Sequence, residues 1–470
     1  MKKIFVVIFA LLSVSLFAQE SNEPKYLSYW EGDLKINSMS LKLIIKIFEN
    51  DDKSIGAYLD SPNQGAKNIA ASSVRLSDDS LIVRLDMIGG KFIGKLQKDS
   101  LFAIGLWKQG GMEFPLKLKK VDKLTELKRP QIPSKPYPYN EEEVEFKNIK
   151  ENITLAGTFT FPKQGSDFPA VILVTGSGQQ DRDETLLGHK PFLVIADYLT
   201  RNGIAVLRYD DRGAGKSKGN FQKATSENFA NDALAAIHYL KTRKEINQKL
   251  IGIIGHSEGG LIAPMAANIS DNVNFIVLLA GPAARGKELL VLQEELILRA
   301  NGTSEEDIAE QISASSKAYD IIINEPDSAT AYKLLKEMYN EKISQLSEEE
   351  KSKPEYTEAN FERGVRTILG TWFRFFIRYD PRSALENLTI PVLAVNGDKD
   401  LQVSSKQNLP LIEDALKLAG NKNYKISELR GLNHLFQHSS SGSVSEYGQI
   451  EETFSEDVLK IIAEWINQLK

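Results

Sequence analysis

Cysteine is absent from the 470-residue sequence. That excludes disulfides, thiolate nucleophiles, iron–sulfur clusters, Cys-ligated zinc and a lipid-modified N-terminal cysteine. Histidine is scarce, with five residues: His189, His238, His256, His434 and His438. A multi-histidine metal site would use most of them and no H-E-x-x-H pair occurs, so neither a metal nor another cofactor is expected. Neither sign of charge is in excess, with 58 Lys+Arg against 63 Asp+Glu. A pI near 5.8 leaves no basic footprint, so no nucleic-acid partner is expected. After the N-terminus, no apolar run approaches the ~20 residues of a membrane-spanning helix.

What is present suits a folded, soluble chain: 42% hydrophobic, 26% charged and 9% aromatic residues. That apolar content can build a core, which rules out disorder as the main state. Lys2 and Lys3 precede an apolar run from Ile4 to Leu12, then small residues and Phe17-Ala18-Gln19. This order predicts a bacterial signal peptide over 1–18, and hence export to the periplasm or medium. No membrane span would remain after cleavage.

Residues 19–121 read as an all-β N-terminal domain. Leu41–Phe48, Leu81–Leu85 and Phe114–Lys119 are strand candidates separated by turn signals. The spacing of ~8–12 residues between turns fits an antiparallel sandwich or a small barrel. No catalytic constellation occurs there. A Pro-rich linker over 122–143 follows, with Pro130, Pro133, Pro136 and Pro138, a composition that favours an extended, semi-rigid segment.

From 144 to 470 strands alternate with helices. A hairpin is predicted over Val144–Ile149 and Thr154–Phe161. Strands are predicted at Ala170–Val174, Ile204–Leu207, Leu250–Ile254, Phe275–Ala280, Val392–Val395 and Tyr424–Leu429. Helical patterns lie between them, which implies a mostly parallel sheet covered on both faces. The stretch 283–378 has only helical patterns and reads as a cap inserted over the carboxyl edge of the sheet. Its aromatic cluster Trp372–Phe376 has two possible placements. It either lines an acyl pocket, together with Gly178, or fills core between cap and sheet.

Gly255-His256-Ser257-Glu258-Gly259-Gly260 follows an apolar strand and opens a helix, the context a G-x-S-x-G elbow needs. Ser257 is the candidate nucleophile. The Glu258 N–H, at a helix start, is a candidate oxyanion donor. The candidate base is His434, in Gly431-Leu432-Asn433-His434 after a strand, with His438 as the fallback. His256 is expected buried in the elbow, His238 within a helix and His189 at the surface. The acid must precede His434 in a loop after a strand, where Asp398 and Asp400 compete. Their spacing from Gly397 favours Asp400 and leaves Asp398 as a turn residue. The second oxyanion donor is expected at the Ser177 N–H, with Gly178 as the alternative. Gln179–Asp183 either gates the site or ties its loop down. A competing phosphate-loop reading of Gly281–Glu288 fails at Glu288, which replaces the hydroxyl that would hold magnesium.

Residues 144–470 resemble the α/β-hydrolase superfamily. Gly176–Asp183, Tyr209-Asp210-Asp211-Arg212-Gly213-Ala214-Gly215-Lys216-Ser217 and Gly255–Gly260 look like bacterial carboxylesterases and serine aminopeptidase-like hydrolases. Thr175-Gly176 stands where many relatives carry His-Gly. The resemblance implies an α/β-hydrolase fold with an eight-stranded, mostly parallel sheet, a helical cap and a small β domain in front. It also implies hydrolysis of small-molecule esters, usually with short acyl chains. The alternative is an exported aminopeptidase-like enzyme acting on small peptides or aminoacyl amides.

Overall fold

The structure is a computed structural model. It describes residues 26–36, 39–50, 52–62, 66–98, 101–109, 112–124, 128–351 and 356–470. The predicted signal peptide lies outside the described residues. Among them, no helix is long and apolar enough to cross a membrane.

The first nine strands are β1 Tyr26–Ile36, β2 Met39–Glu49, β3 Ile55–Ser61, β4 Ala66–Ala70, β5 Ser73–Leu76, β6 Ser80–Leu85, β7 Gly90–Leu96, β8 Phe102–Gln109 and β9 Met112–Val121. They form one antiparallel sheet in the order β4-β3-β2-β1-β9-β8-β7-β6-β5. Its two edge strands are neighbours in sequence, joined by Ala71-Ser72, and the Ala71 N–H donates to the Ala57 carbonyl at 2.9 Å. The sheet therefore curls on itself. Alternate residues from its whole width, including Trp30, Ile45, Leu59, Leu81, Phe92 and Trp107, share one core. Of the two expected architectures, this is the barrel-like one.

The prolines that follow do not hang free. The Arg129 guanidinium donates to the carbonyls of Leu187, Gly448 and Ile450 at 3.0, 2.8 and 3.0 Å. Gln131 Oε1 accepts from Thr453 and Phe454 N–H at 2.6 and 3.0 Å.

The second sheet holds β10 Asn140–Asn148, β11 Ile153–Phe161, β12 Phe168–Val174, β13 Ala205–Tyr209, β14 Ile246–His256, β15 Phe275–Leu279, β16 Val392–Gly397 and β17 Tyr424–Leu429. Its order is β10-β11-β13-β12-β14-β15-β16-β17. β10 and β11 form the expected antiparallel hairpin, β11 pairs antiparallel with β13, and β12 to β17 run parallel to one another. The helices are α1 Pro191–Arg201, α2 Ser226–Leu240, α3 Glu258–Ile269, α4 Gly286–Ala300, α5 Glu305–Asn324, α6 Ser328–Ser344, α7 Glu348–Lys351, α8 Glu358–Ile368, α9 Thr371–Phe376, α10 Arg382–Leu385, α11 Ser405–Leu418 and α12 Glu456–Gln468.

Both faces of the sheet's centre are buried, which is why β12, β15 and β16 read as apolar runs, while the edge strands β10 and β17 mix polar and apolar residues. In β12, Ala170, Ile172 and Val174 face the core shared with α2, α3 and α11. Val171 and Leu173 face the core shared with α1 and α12. Helices α4 to α9 form the strand-free insertion between β15 and β16. Side-chain caps start three of them: Ser304, Asp327 and Thr357 accept from the N–H groups of Asp307, Thr330 and Asn360.

The chain reverses direction across the sheet at β12. β13 lies on one side of it and β14 on the other, so the loops after β12 and β14 face each other. Ligands bind at such a switch point in open α/β sheets.

Candidate active site

Ser257 sits between β14 and α3 with φ 53° and ψ −118°, a backbone region that residues with a β-carbon rarely occupy. Two close approaches allow the turn. A β-carbon on Gly255 would collide with the Gly259 carbonyl, and one on Gly259 with the Val174 carbonyl of β12. The Ser257 N–H donates to the Leu279 carbonyl at 2.8 Å, which pins the elbow to β15. Ser257 is partly exposed, while its neighbours on both sides are buried.

The turn after β16 separates the two competing aspartates. Asp398 is exposed, and its Oδ1 accepts the Gly431 N–H at 2.6 Å. It clips two loops together. Asp400 is 3% exposed and points inward. Its Oδ1 accepts the N–H groups of Gln402 and Val403 at 2.8 and 2.9 Å. Its Oδ2 lies 2.8 Å from His434 Nδ1. The carboxylate is thus fixed by two backbone donors and orients one imidazole. The loop carrying His434 is shaped by Asn433, fully buried, whose Oδ1 accepts the N–H groups of Leu435 and Gln437, both at 3.0 Å. His438 is turned away, exposed and paired with Glu452 at 2.9 Å.

The loop after β12 packs directly on the nucleophile. A β-carbon on Gly176 would stand 3.1 Å from the Ser257 β-carbon. The Gly176 N–H is taken by Glu184 Oε1 at 3.0 Å. The next two N–H groups along the loop are those of Ser177, which is exposed, and Gly178, which has φ 97°. Among the described residues, no protein acceptor is found for the N–H groups of Ser177, Gly178 or Glu258.

Gln179–Asp183 is tied down. Arg182 makes a two-pronged pair with Asp210 at 3.0 and 2.8 Å and reaches Glu143 at 2.8 Å. Asp183 pairs with Arg208 and Lys190. Asp211 accepts from Thr175 Oγ1 at 2.9 Å and the Gln180 N–H at 2.8 Å, and so holds the loop from below.

Three carboxyls lie on this side of the elbow: Asp232 and Glu258, which are buried, and Asp211, which is half-buried. Burial pushes all three above the ordinary carboxylate range, Asp211 well above it. Arg212 pairs with Asp232 at 2.7 Å. Glu258 Oε1 accepts from Ser226 Oγ at 2.6 Å and from Trp372 Nε1 at 2.7 Å.

Gly178 lines a small cleft with Val174, Thr175, Phe221, Phe229 and Ile262. The two phenylalanines stack with centroids 5.0 Å apart at 20°. Trp372 and Phe376 do not line that cleft. They stack on each other at 5.1 Å. Phe376, 7% exposed, belongs to the core beneath the cap, while Trp372 docks the cap onto Glu258.

His189 corrects a sequence expectation. It is not at the surface but 1% exposed. Its Nδ1 meets Thr453 Oγ1 and its Nε2 the Tyr447 carbonyl, both at 2.9 Å. A neutral ring satisfies both partners, and polar partners so far along the chain left no local sequence signal. The sequence reading also missed Glu184, which lies one residue past the Gly176–Asp183 stretch. Among the described residues, no group of three or more His, Asp or Glu is placed to hold a metal ion.

An elbow serine, a buried Asp–His pair and free N–H groups at the switch point of a mostly parallel sheet define an α/β hydrolase. The profile of the serine aminopeptidase S33 family, Hydrolase_4, matches residues 191–438, and the chain belongs to that family. Esterase EstD of Thermotoga maritima is 29% identical over 329 residues, covering 69% of this chain and 68% of that protein. An acyl transferase of Photorhabdus luminescens is 30% identical over 135 residues, which are 28% of this chain and 40% of that protein. Among solved structures, an esterase of Pyrococcus furiosus matches 74% of this chain and 99% of its own, with a TM-score of 0.43 and 16% identity. The chain is thus a serine hydrolase of the α/β-hydrolase fold.

Proposed function

We propose that Ser257, His434 and Asp400 form the catalytic triad of an esterase for short-chain acyl esters. The observation that carries this reading is the 2.8 Å contact between His434 Nδ1 and buried Asp400, beside a serine held at φ 53°. Ser257 Oγ attacks the ester carbonyl while His434 Nε2 takes its proton. The N–H groups of Ser177 and Glu258 receive the oxyanion. His434 then protonates the leaving alcohol, and water cleaves the acyl-enzyme by the reverse sequence. Asp400 holds the tautomer that leaves Nε2 free to act as base. The preference for short acyl chains is what the resemblance to bacterial carboxylesterases implies.

The test compares wild type with Ser257→Ala on p-nitrophenyl acetate, butyrate and laurate. The expected result is turnover of the two short esters and a fall of about 10⁶-fold in kcat in the variant. Persistent turnover in Ser257→Ala would remove the serine from the mechanism. Hydrolysis of aminoacyl amides without hydrolysis of esters would replace the esterase reading with a peptidase.

A further inference from the structure

A buried pair of side chains takes no part in the chemistry above, yet contacts both loops that frame Ser257. Glu184 is 4% exposed and His256 is 6% exposed. Glu184 Oε1 accepts the Gly176 N–H at 3.0 Å and lies 2.9 Å from His256 Nδ1. His256 Nε2 lies 3.0 Å from the carbonyl oxygen of His434, and the two rings are 4.9 Å apart. A carbonyl oxygen only accepts, so Nε2 carries a hydrogen. A positive charge on the ring would face the Glu184 carboxyl through Nδ1. Burial opposes that charge, but Glu184, the His434 carbonyl and Asp400 outweigh it and hold His256 above its ordinary value.

Glu184 also sits at φ 53°, a left-handed conformation that costs a residue with a β-carbon. Its loop is held in that shape by Asp181, whose carbonyl accepts the Glu184 N–H at 3.0 Å. The Asp181 Oδ1 accepts from the N–H groups of Asp183 and Thr185, both at 3.0 Å. Strain of this kind persists where the surroundings over-determine it, and here it turns one carboxylate inward.

We propose that Glu184 and His256 act as one positioning unit, joining the oxyanion loop at Gly176 to the carbonyl of His434 so that both loops hold one register about Ser257. The inference rests on the triad reading above. With glutamine at 184, an amide oxygen can still accept the Gly176 N–H, but an uncharged side chain then faces both that donor and His256 Nδ1, and the ring loses the carboxylate that holds it. Ser177, one residue on, then loses its fixed direction. An oxyanion donor works only when already aimed, so the loss falls on the transition state and not on the bound ester.

The experiment measures kcat and KM for p-nitrophenyl butyrate, per titrated active site, in wild type, Ser257→Ala, Glu184→Gln, His256→Gln and the Glu184→Gln/His256→Gln double variant. Affinity for a trifluoromethyl ketone, which mimics the tetrahedral oxyanion, is measured alongside. Glu184→Gln is expected to lower kcat by about 10- to 100-fold, the scale of a small misplacement, with KM within about twofold. Ketone affinity falls by the same factor as kcat. His256→Gln behaves alike, and the double variant is no worse than the weaker single, as for residues that act as a unit. Unchanged kcat per site, unchanged ketone affinity or multiplicative losses in the double variant would overturn the inference. If Glu184→Gln does not fold, the same two readouts on His256→Gln decide. Turnover by Ser257→Ala would overturn the triad reading beneath. An inactive Ser257→Ala with Glu184→Gln at wild-type kcat would overturn this inference alone.

Discussion

Asp398 and Asp400 stand two positions apart and do different work. Asp398 clips an exposed loop, and an asparagine oxygen can still accept the Gly431 N–H. Asp400 must accept from His434 Nδ1, which an amide does only after flipping away from its backbone donors. Asp400→Asn is therefore expected to lower kcat by about 10⁴-fold, the penalty of the wrong tautomer. Asp398→Asn should leave kcat within about threefold, since it acts at an exposed clip. Steady-state kinetics on one ester separate the two, and a larger loss for Asp398→Asn would reverse the assignment. His189 gives a second prediction at this scale. Burial, with the Arg129 charge, pushes it down to about 4. The folded chain thus prefers it neutral, and the unfolded chain takes up its proton first as pH falls. Stability should be full above about pH 6.5 and fall between there and pH 4, by at most about 3 kcal/mol. Urea titrations across that window should show a smaller loss in His189→Gln, whose amide can serve both partners. Parallel curves would refute it. Ser257, His434 and the choice of Asp400 were legible because each follows a strand in an order the chemistry demands. Glu184 and buried His189 were not, because their partners lie 72 and 264 positions along the chain.

At the scale of elements, the central strands of the second sheet were legible because burial on both faces makes them apolar runs, and β10 because it alternates. Their ends were less so. β14 begins at Ile246, four residues before the run at Leu250, because polar Asn247–Lys249 still lie in the extended chain. The cap helices were legible as a gap in strand signals, but their docking was not. The Trp372–Glu258 bond joins α9 to the first residue of α3, and no spacing rule relates residues 114 apart. Trp372→Phe keeps the stack on Phe376 and removes only that donor. The expected cost is about 1–3 kcal/mol, because a buried carboxyl is left with Ser226 alone. Urea unfolding of the two proteins reads it. Equal stability would show that the cap is held by apolar contact alone.

The whole molecule holds one curled sheet with its own core and a second sheet with cores on both faces. Among the described residues, none belongs to both the first core and the others. Arg129 and Gln131 dock the end of the linker onto the second unit, so that unit is complete from Lys128 onward. A chain beginning at Lys128 is expected to fold and to hydrolyse p-nitrophenyl butyrate with unchanged kcat/KM. A large rise in KM with kcat preserved would instead give the β unit a part in binding the ester. The sequence marked that unit as all-β from its turn spacing, but the choice between sandwich and barrel depended on strand pairing. The most direct test of the whole account is covalent. A p-nitrophenyl phosphonate should inactivate the protein with one equivalent bound, and peptide mapping should place the adduct on Ser257. Ser257→Ala should take up none. An adduct elsewhere, or turnover that survives complete labelling, would contradict the account.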